Sequence, residues 1–218
     1  MCNRLLIAAL LLAPTLAAAQ TREPVTHVDE GATRAASEGL STLRALLQQA
    51  KNFREMGFES QAELDRATLG QPLGTSRVRL DELSAFQAGG DPMKLLHDAR
   101  EALYPVEVDG KVRSSVTVAA TEKGWTARAF GAPNRTQLVT QARARAAEVA
   151  AVPPTGTALV EVPAMKLVFI GFLKDGALWL APVLDNPSFG FKANEPVKAD
   201  EVFKKLAPAS KAFRDAPG

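Results

Sequence analysis

Two stretches constrain this chain more than any others. "VEVDGKVRSSVTV", residues 106–118, and "FLKDGALWLAPVL", residues 172–184, each set an Asp-Gly pair between apolar runs. A two-residue connection of type I′ needs positive φ at both positions, and Asp-Gly meets that need at low strain. Each stretch therefore predicts a β-hairpin. Val106 and Val108 alternate with Glu107, and Val116 and Val118 with Ser115 and Thr117, which marks an antiparallel sheet with one apolar and one wetter face. "WTARAF", 125–130, follows the "EKG" turn as a third strand. "TALVEV" (157–162), "KLVFIGFL" (166–173) and "ALWLAPVL" (177–184) read as three more. The middle one is apolar on both faces, so it belongs in the interior of a sheet. Pro182 lacks a donor and puts the last one at an edge, at least locally.

Helices frame these strands. Ala36, Leu40, Leu43, Leu47 and Ala50 recur at three- and four-residue spacing, predicting a helix over about 33–54, with Leu46 and Phe53 widening its stripe. Ser60 and Glu63 have capping-box spacing. "RVRL", 77–80, reads as a short strand, with Asp81 capping a turn of helix after it. Asp91-Pro92 predicts the start of a helix over 92–103, with Met93, Leu96 and Leu103 inward and His97 beside that stripe. Pro105 should return the chain to extended geometry. Asn134 and Gln137 predict another capped helix, with Leu138, Ala142, Ala146 and Val149 on its packing face, stopped by Pro153-Pro154. A last helix is expected near 198–214, with Val202, Phe203, Leu206 and Phe213 inward and a break or kink at Pro208.

The fold class is therefore α+β: one or more antiparallel sheets with two Asp-Gly hairpins, packed against several helices. A globular domain is expected over 33–218, as one body or as two halves meeting near 152–156. Both halves run helices, hairpin, further strand, helix. A pseudo-duplicated arrangement and the recurrence of a common hairpin device both account for that order. The element order is loosely similar to the small cystatin-like α+β modules of exported bacterial proteins. The Gln-x-Val-x-Gly loop of cystatin inhibitors is absent, and no residue role follows from the likeness.

The N-terminus carries an address. "MCNRLLIAALLLAPTLAAAQ" has Arg4, then a 15-residue run from Leu5 to Ala19, apolar except at Pro14 and Thr15 and ending in three alanines. This is the form of a secretory signal peptide over 1–19. The run falls short of the roughly 20 residues that a membrane span needs, so no stable membrane insertion is expected after cleavage. Residues 20–32 are then a flexible mature N-terminus, and the expected location is the periplasm or the medium. Cys2 is the one cysteine and lies in the segment that is lost. The mature chain must then rest on its core, without disulfides. Removing 19 of 218 residues leaves 199, enough to bury about 70% of the unfolded surface. Losing Arg4 leaves 25 basic against 24 acidic residues, a net charge of +1. Mixed charge without a basic excess does not point to nucleic acid.

Chemistry-bearing patterns are sparse. His27 falls in the N-terminal arm. His97 could serve a polar site with Ser114 or Ser115, but there is no Gly-x-Ser-x-Gly elbow and both serines fall mid-strand. His-x-x-x-His, EF-hand and phosphate-loop spacings are absent, so no metal or cofactor is expected. Asp81-Glu82 and Asp200-Glu201 sit where helices begin, which suits the helix dipole. Asn134-Arg135-Thr136 has the form of a glycosylation sequon. Phe189 and Phe191, in "DNPSFGFKANEP", are candidates for a binding loop or for a lid over the core. The expected role is a non-catalytic module that binds a protein or peptide. The alternatives are a hydrolase using His97, and a carrier of a small apolar ligand. Oligomeric state is left open.

Overall fold

The computed structural model describes residues 28–50 and 52–215. The expected signal peptide, and residues 20–27 of the mature N-terminus, lie outside the described residues. Within them are helices α1 (Glu30–Ala50), α2 (Gln61–Arg66), α3 (Leu80–Ser84), α4 (Pro133–Ala150) and α5 (Ala199–Asp215). The strands are β1 (Thr68–Leu69), β2 (Leu73–Arg77), β3 (His97–Val108), β4 (Lys111–Thr121), β5 (Gly124–Phe130), β6 (Thr157–Val162), β7 (Leu167–Lys174), β8 (Ala177–Pro182) and β9 (Val197–Lys198). They form one sheet in the order β5-β4-β3-β2-β6-β7-β8-β9, with β1 on the far end of β3. Every pairing is antiparallel except β2 with β6. The fold is α+β, as expected.

Both hairpins form as the Asp-Gly pairs dictate. Val108 pairs with Lys111, with Asp109 at φ 51° and Gly110 at φ 74°. Lys174 pairs with Ala177, with Asp175 at φ 52° and Gly176 at φ 73°. Positive φ at both residues is the type I′ signature.

The sheet is covered on both faces. Ala102, Tyr104, Val106, Val116 and Val118 turn to one face and meet Ala36, Leu40, Leu43 and Leu47 of α1. The register carries that face across the sheet: Ala102 lies opposite Gly74, and Ser76, two residues on, beside Val160. There Val160, Phe169 and Leu180 meet Val202, Phe203 and Leu206 of α5. The opposite face belongs to α4, whose Val139, Ala142 and Ala146 pack on Leu103, Leu159 and Ile170. At Gly39 the approach of α1 to the sheet is so close that a Cβ would stand 2.7 Å from Val116 and 2.9 Å from Ala127.

Several expectations need correction. There is no helix over 92–103. A 3-10 turn, Pro92–Leu95, leads straight into β3, so His97 is a strand residue. The helical spacing of Met93, Leu96 and Leu103 is outweighed by period-two burial at Ala102, Tyr104, Val106 and Val108, supported by strands on both sides. Pro105 sits inside β3 without an unmet donor. Its carbonyl accepts from Gly70 N at 2.8 Å. The N–H and C=O of a strand residue point the same way, so the missing N–H faces the gap where the chain passes from β1 to β2.

The short strand expected at 77–80 lies earlier, at β2, and α3 begins at Leu80 without a side-chain cap. α1 starts at Glu30, earlier than expected, with Asp29 Oδ1 accepting from Ala32 N at 2.9 Å. Asn134 does not cap α4. Ala132, at φ 54°, takes that position and Pro133 fills the first turn. Leu46 and Phe213 are 50% and 52% exposed, off the faces assigned to them. Pro208 lies within α5, which continues to Asp215.

Candidate functional site

α4 covers the middle of its face of the sheet and leaves one end open. Its first two turns present Arg135 and Leu138 beside the end of β6. After Val162 the chain makes a 3-10 turn, Pro163–Met165, and Lys166 takes a left-handed φ of 55° to enter β7. β8 runs out at Pro182, and Val183 N is held by Val168 O at 3.0 Å. These elements border a groove around the end of the sheet, with one lobe toward the α4 face and one toward the α5 face. The larger, about 470 Å³, lies between α4 and the strand ends, over Val168 and Val183. The smaller, about 150 Å³, runs on to Asp185, Asn186 and Phe191. Lys166, Leu167, Val168 and Leu184 border both.

Two leucines line the larger lobe. Leu184 is 60% exposed and Leu138 is 36% exposed. With Val168 and Val183 beneath them they form an apolar opening rimmed by charge. The rim is set by an ion-pair chain across the sheet. Arg128 pairs with Glu101; Glu101 Oε2 lies 2.5 Å from Arg77; Arg77 Nε lies 3.7 Å from Glu161; and Glu161 Oε1 accepts from Arg135 at 2.6 Å.

Two roomier clefts, about 490 and 760 Å³, meet at Thr33 and Pro72. Arg143 lines the larger and is 5% exposed. Its guanidinium donates to Gln71 O at 2.7 Å, Pro72 O at 2.9 Å, Pro154 O at 3.0 Å and Thr157 Oγ1 at 3.2 Å. Burial lowers its pKa to about 10, with Glu107 attracting it from further off. It remains cationic at neutral pH and clips α4 to two loops. Its donors are largely consumed by backbone, so it offers a ligand little.

The residues singled out by sequence are dispersed. His97 Nε2 lies 2.5 Å from Glu82 Oε2, a pair that ties β3 to α3. Ser114 and Ser115 pair with Val106 and Pro105, roughly 25 Å along the strand from His97 at 3.3 Å per residue. Ser115 Oγ is spent on Gly131 O at 2.6 Å. No triad assembles from these residues. Phe191 is 2% exposed and packs edge-on to Phe169, 5.6 Å between centroids. Phe189 lies half-buried beside it at 5.9 Å. Both fold onto the core, and Phe191 forms a wall of the smaller lobe. Asp185 Oδ1 accepts from Ala193 N at 2.8 Å and Asn186 Oδ1 from Phe189 N at 3.3 Å, which are turn-forming roles.

Sequence reasoning missed Arg135, Lys166 and Leu184 altogether and assigned Leu138 to the core. The one signal for Leu138 was its place one residue before the buried Val139–Ala142–Ala146 stripe. Among the described residues no group of three or more His, Cys, Asp or Glu could hold a metal ion, and no helix is long and apolar enough to cross a membrane. Comparison of the whole chain with known proteins matches no family model, no curated protein and no solved structure.

Proposed function

We propose that this chain is an exported, non-catalytic binding module that holds an extended segment of another polypeptide in the two-lobed groove. The observation that carries the reading is that two exposed leucines, Leu138 and Leu184, line one lobe over an apolar floor at one end of the sheet. Full burial of a leucine contributes about 1.5–3 kcal/mol. The exposed parts of these two together amount to about one leucine, so a partner covering them gains roughly a factor of 10–100 in affinity. That supports a transient complex. Two lobes on either side of Leu184 suit successive side chains of a peptide better than one compact apolar molecule. Export rests on residues 1–19, whose charge and apolar pattern suit signal peptidase. In a double-membraned bacterium the destination is the periplasm.

Selection from a displayed peptide library by the mature chain tests the reading. Bound sequences should carry apolar residues, and Leu184→Asp should abolish binding with the melting temperature nearly unchanged. Undiminished binding by Leu184→Asp would place the interaction elsewhere. N-terminal sequencing of exported protein should start at Gln20, and an intact Arg4-Leu5 would contradict processing.

A further inference from the structure

We infer that the groove selects segments with an acidic residue next to the apolar side chain that enters the larger lobe, an inference that rests on the peptide-binding reading above. The charge balance of that lobe carries it. A guanidinium has five N–H donors. Arg135, with its side chain 52% exposed, gives one of them to Glu161, and its remaining donors have no acceptor among the described residues. Glu161 is turned inward, 18% exposed, and is shared with Arg77. Arg77 is shared in turn with Glu101, which also holds Arg128. Three guanidiniums thus divide two carboxylates, and the outermost cation faces the groove. Lys166, exposed on the same lobe, makes no ion pair among the described residues.

The other end is more evenly balanced. Asp185 borders the smaller lobe, and one of its oxygens is held by Ala193 N. Lys166 borders that lobe as well, and Lys205 Nζ lies 5.6 Å from the Phe191 ring, so the cationic excess belongs to the α4 end, where Arg135 joins Lys166. A carboxylate beside the apolar anchor of the larger lobe meets Arg135 and Lys166 together. An exposed charge pair contributes little and weakens with salt. Two such contacts give a preference of about fivefold, which acts on selectivity more than on affinity.

Fluorescence anisotropy with three labelled octapeptides tests this. Each has two leucines separated by two serines, with two aspartates, two lysines or two serines flanking the first leucine. At 50 mM NaCl the aspartate peptide should bind about fivefold more tightly than the serine peptide, and the lysine peptide more weakly than either. The advantage should shrink at 500 mM. In Arg135→Gln/Lys166→Gln it should vanish while serine-peptide binding persists. Because Arg135→Gln also strips Glu161 of a partner, Lys166→Gln alone, which breaks no ion pair, serves as the second variant and should lose about half of the preference. Equal binding of the aspartate and serine peptides, or a preference for lysine, overturns the acidic selectivity and leaves the groove standing. Failure of all three peptides overturns the peptide-binding reading and this one with it, and binding of laurate in their place would assign the groove to an apolar carrier.

Discussion

Gly57 offers the sharpest test of how the sheet is framed. It follows α1 in the turn at 53–57, at φ 91°, and a Cβ there would stand 1.8 Å from the carbonyl oxygen of Arg113 and 2.9 Å from Cβ of Pro133. Arg113 belongs to β4, so the obstacle is sheet backbone. Gly57→Ala therefore meets two costs. Left-handed backbone costs an L residue about 1–2 kcal/mol. Forcing a methyl into a packed site adds about 1–3 kcal/mol. The sum is about 2–5 kcal/mol, a large part of the 5–15 kcal/mol by which a domain is stable. Gly110 is the control. Its φ is 74°, in the same region, but a Cβ there meets nothing within 4 Å. Gly110→Ala should cost only the strain, about 1 kcal/mol. In urea unfolding followed by circular dichroism, with a slope of about 2 kcal/mol/M, the midpoints should fall by about 1–2.5 M and about 0.5 M respectively. Equal midpoints for the two variants would refute the close packing of the 53–57 turn on β4.

Arg143→Met should destabilise by about 1–3 kcal/mol, because Gln71 O and Pro72 O lose a donor and Pro154 O keeps only Thr157 Oγ1; thermal unfolding measures it, and a neutral result would remove the clip. Tyr104 is the one tyrosine in the chain, so absorbance at about 295 nm reads it alone. Burial raises its pKa, opposed by the hydrogen bond with Thr33 and assisted by Asp29. The native chain should therefore ionise above the ordinary value of 10.0 and the urea-unfolded chain near it, and a native titration at or below 10 would contradict the buried phenol. The raised value makes Tyr104's contribution to stability full below pH 10 and lost progressively above it. His97→Ala should change stability by less than about 1 kcal/mol, since the pair with Glu82 is 43% and 32% exposed; peptide binding should survive it, whereas a turnover activity that it abolished would revive the hydrolase alternative.

Much of the framework is legible in sequence because local chemistry decides it. Asp109-Gly110 and Asp175-Gly176 fix both hairpins whatever surrounds them. The apolar continuity of β7 announces an interior strand, and the α1 stripe matches its buried face at Ala36, Leu40, Leu43 and Leu47. β3 was illegible for the opposite reason. "HDAREALYPVEV" holds a proline and charged residues near its start, and local propensity argues against a 12-residue strand. It is a strand because β4 and β2 pair with its two edges, and because Pro105 falls where β1 gives way to β2. The parallel β2–β6 pair is likewise beyond local reading. It joins residues more than 80 positions apart, and "LGTSR" carries no strand signal of its own.

The groove was hidden for a related reason. Its residues are ordinary in sequence: an arginine and a leucine in a helix's first turns, a lysine in a short bend, a leucine at a strand's exit. They gain meaning only from where α4 starts. Small residues at Ala142 and Ala146 let α4 lie close over Leu159 and Ile170, and Pro133 fixes its first turn at the margin of the sheet. Beyond that turn no helix covers the ends of β7 and β8 on this face. Ion pairs among Arg77, Glu101, Glu161 and Arg135 seal the neighbouring strip, since a carboxylate shared by two guanidiniums needs no apolar cover. Leu138 and Leu184 lie beside that strip, where neither a helix nor the ion pairs reach them. A framework that stops one turn short of its own sheet thus leaves an apolar opening with a charged border, the combination that a transient peptide partner requires.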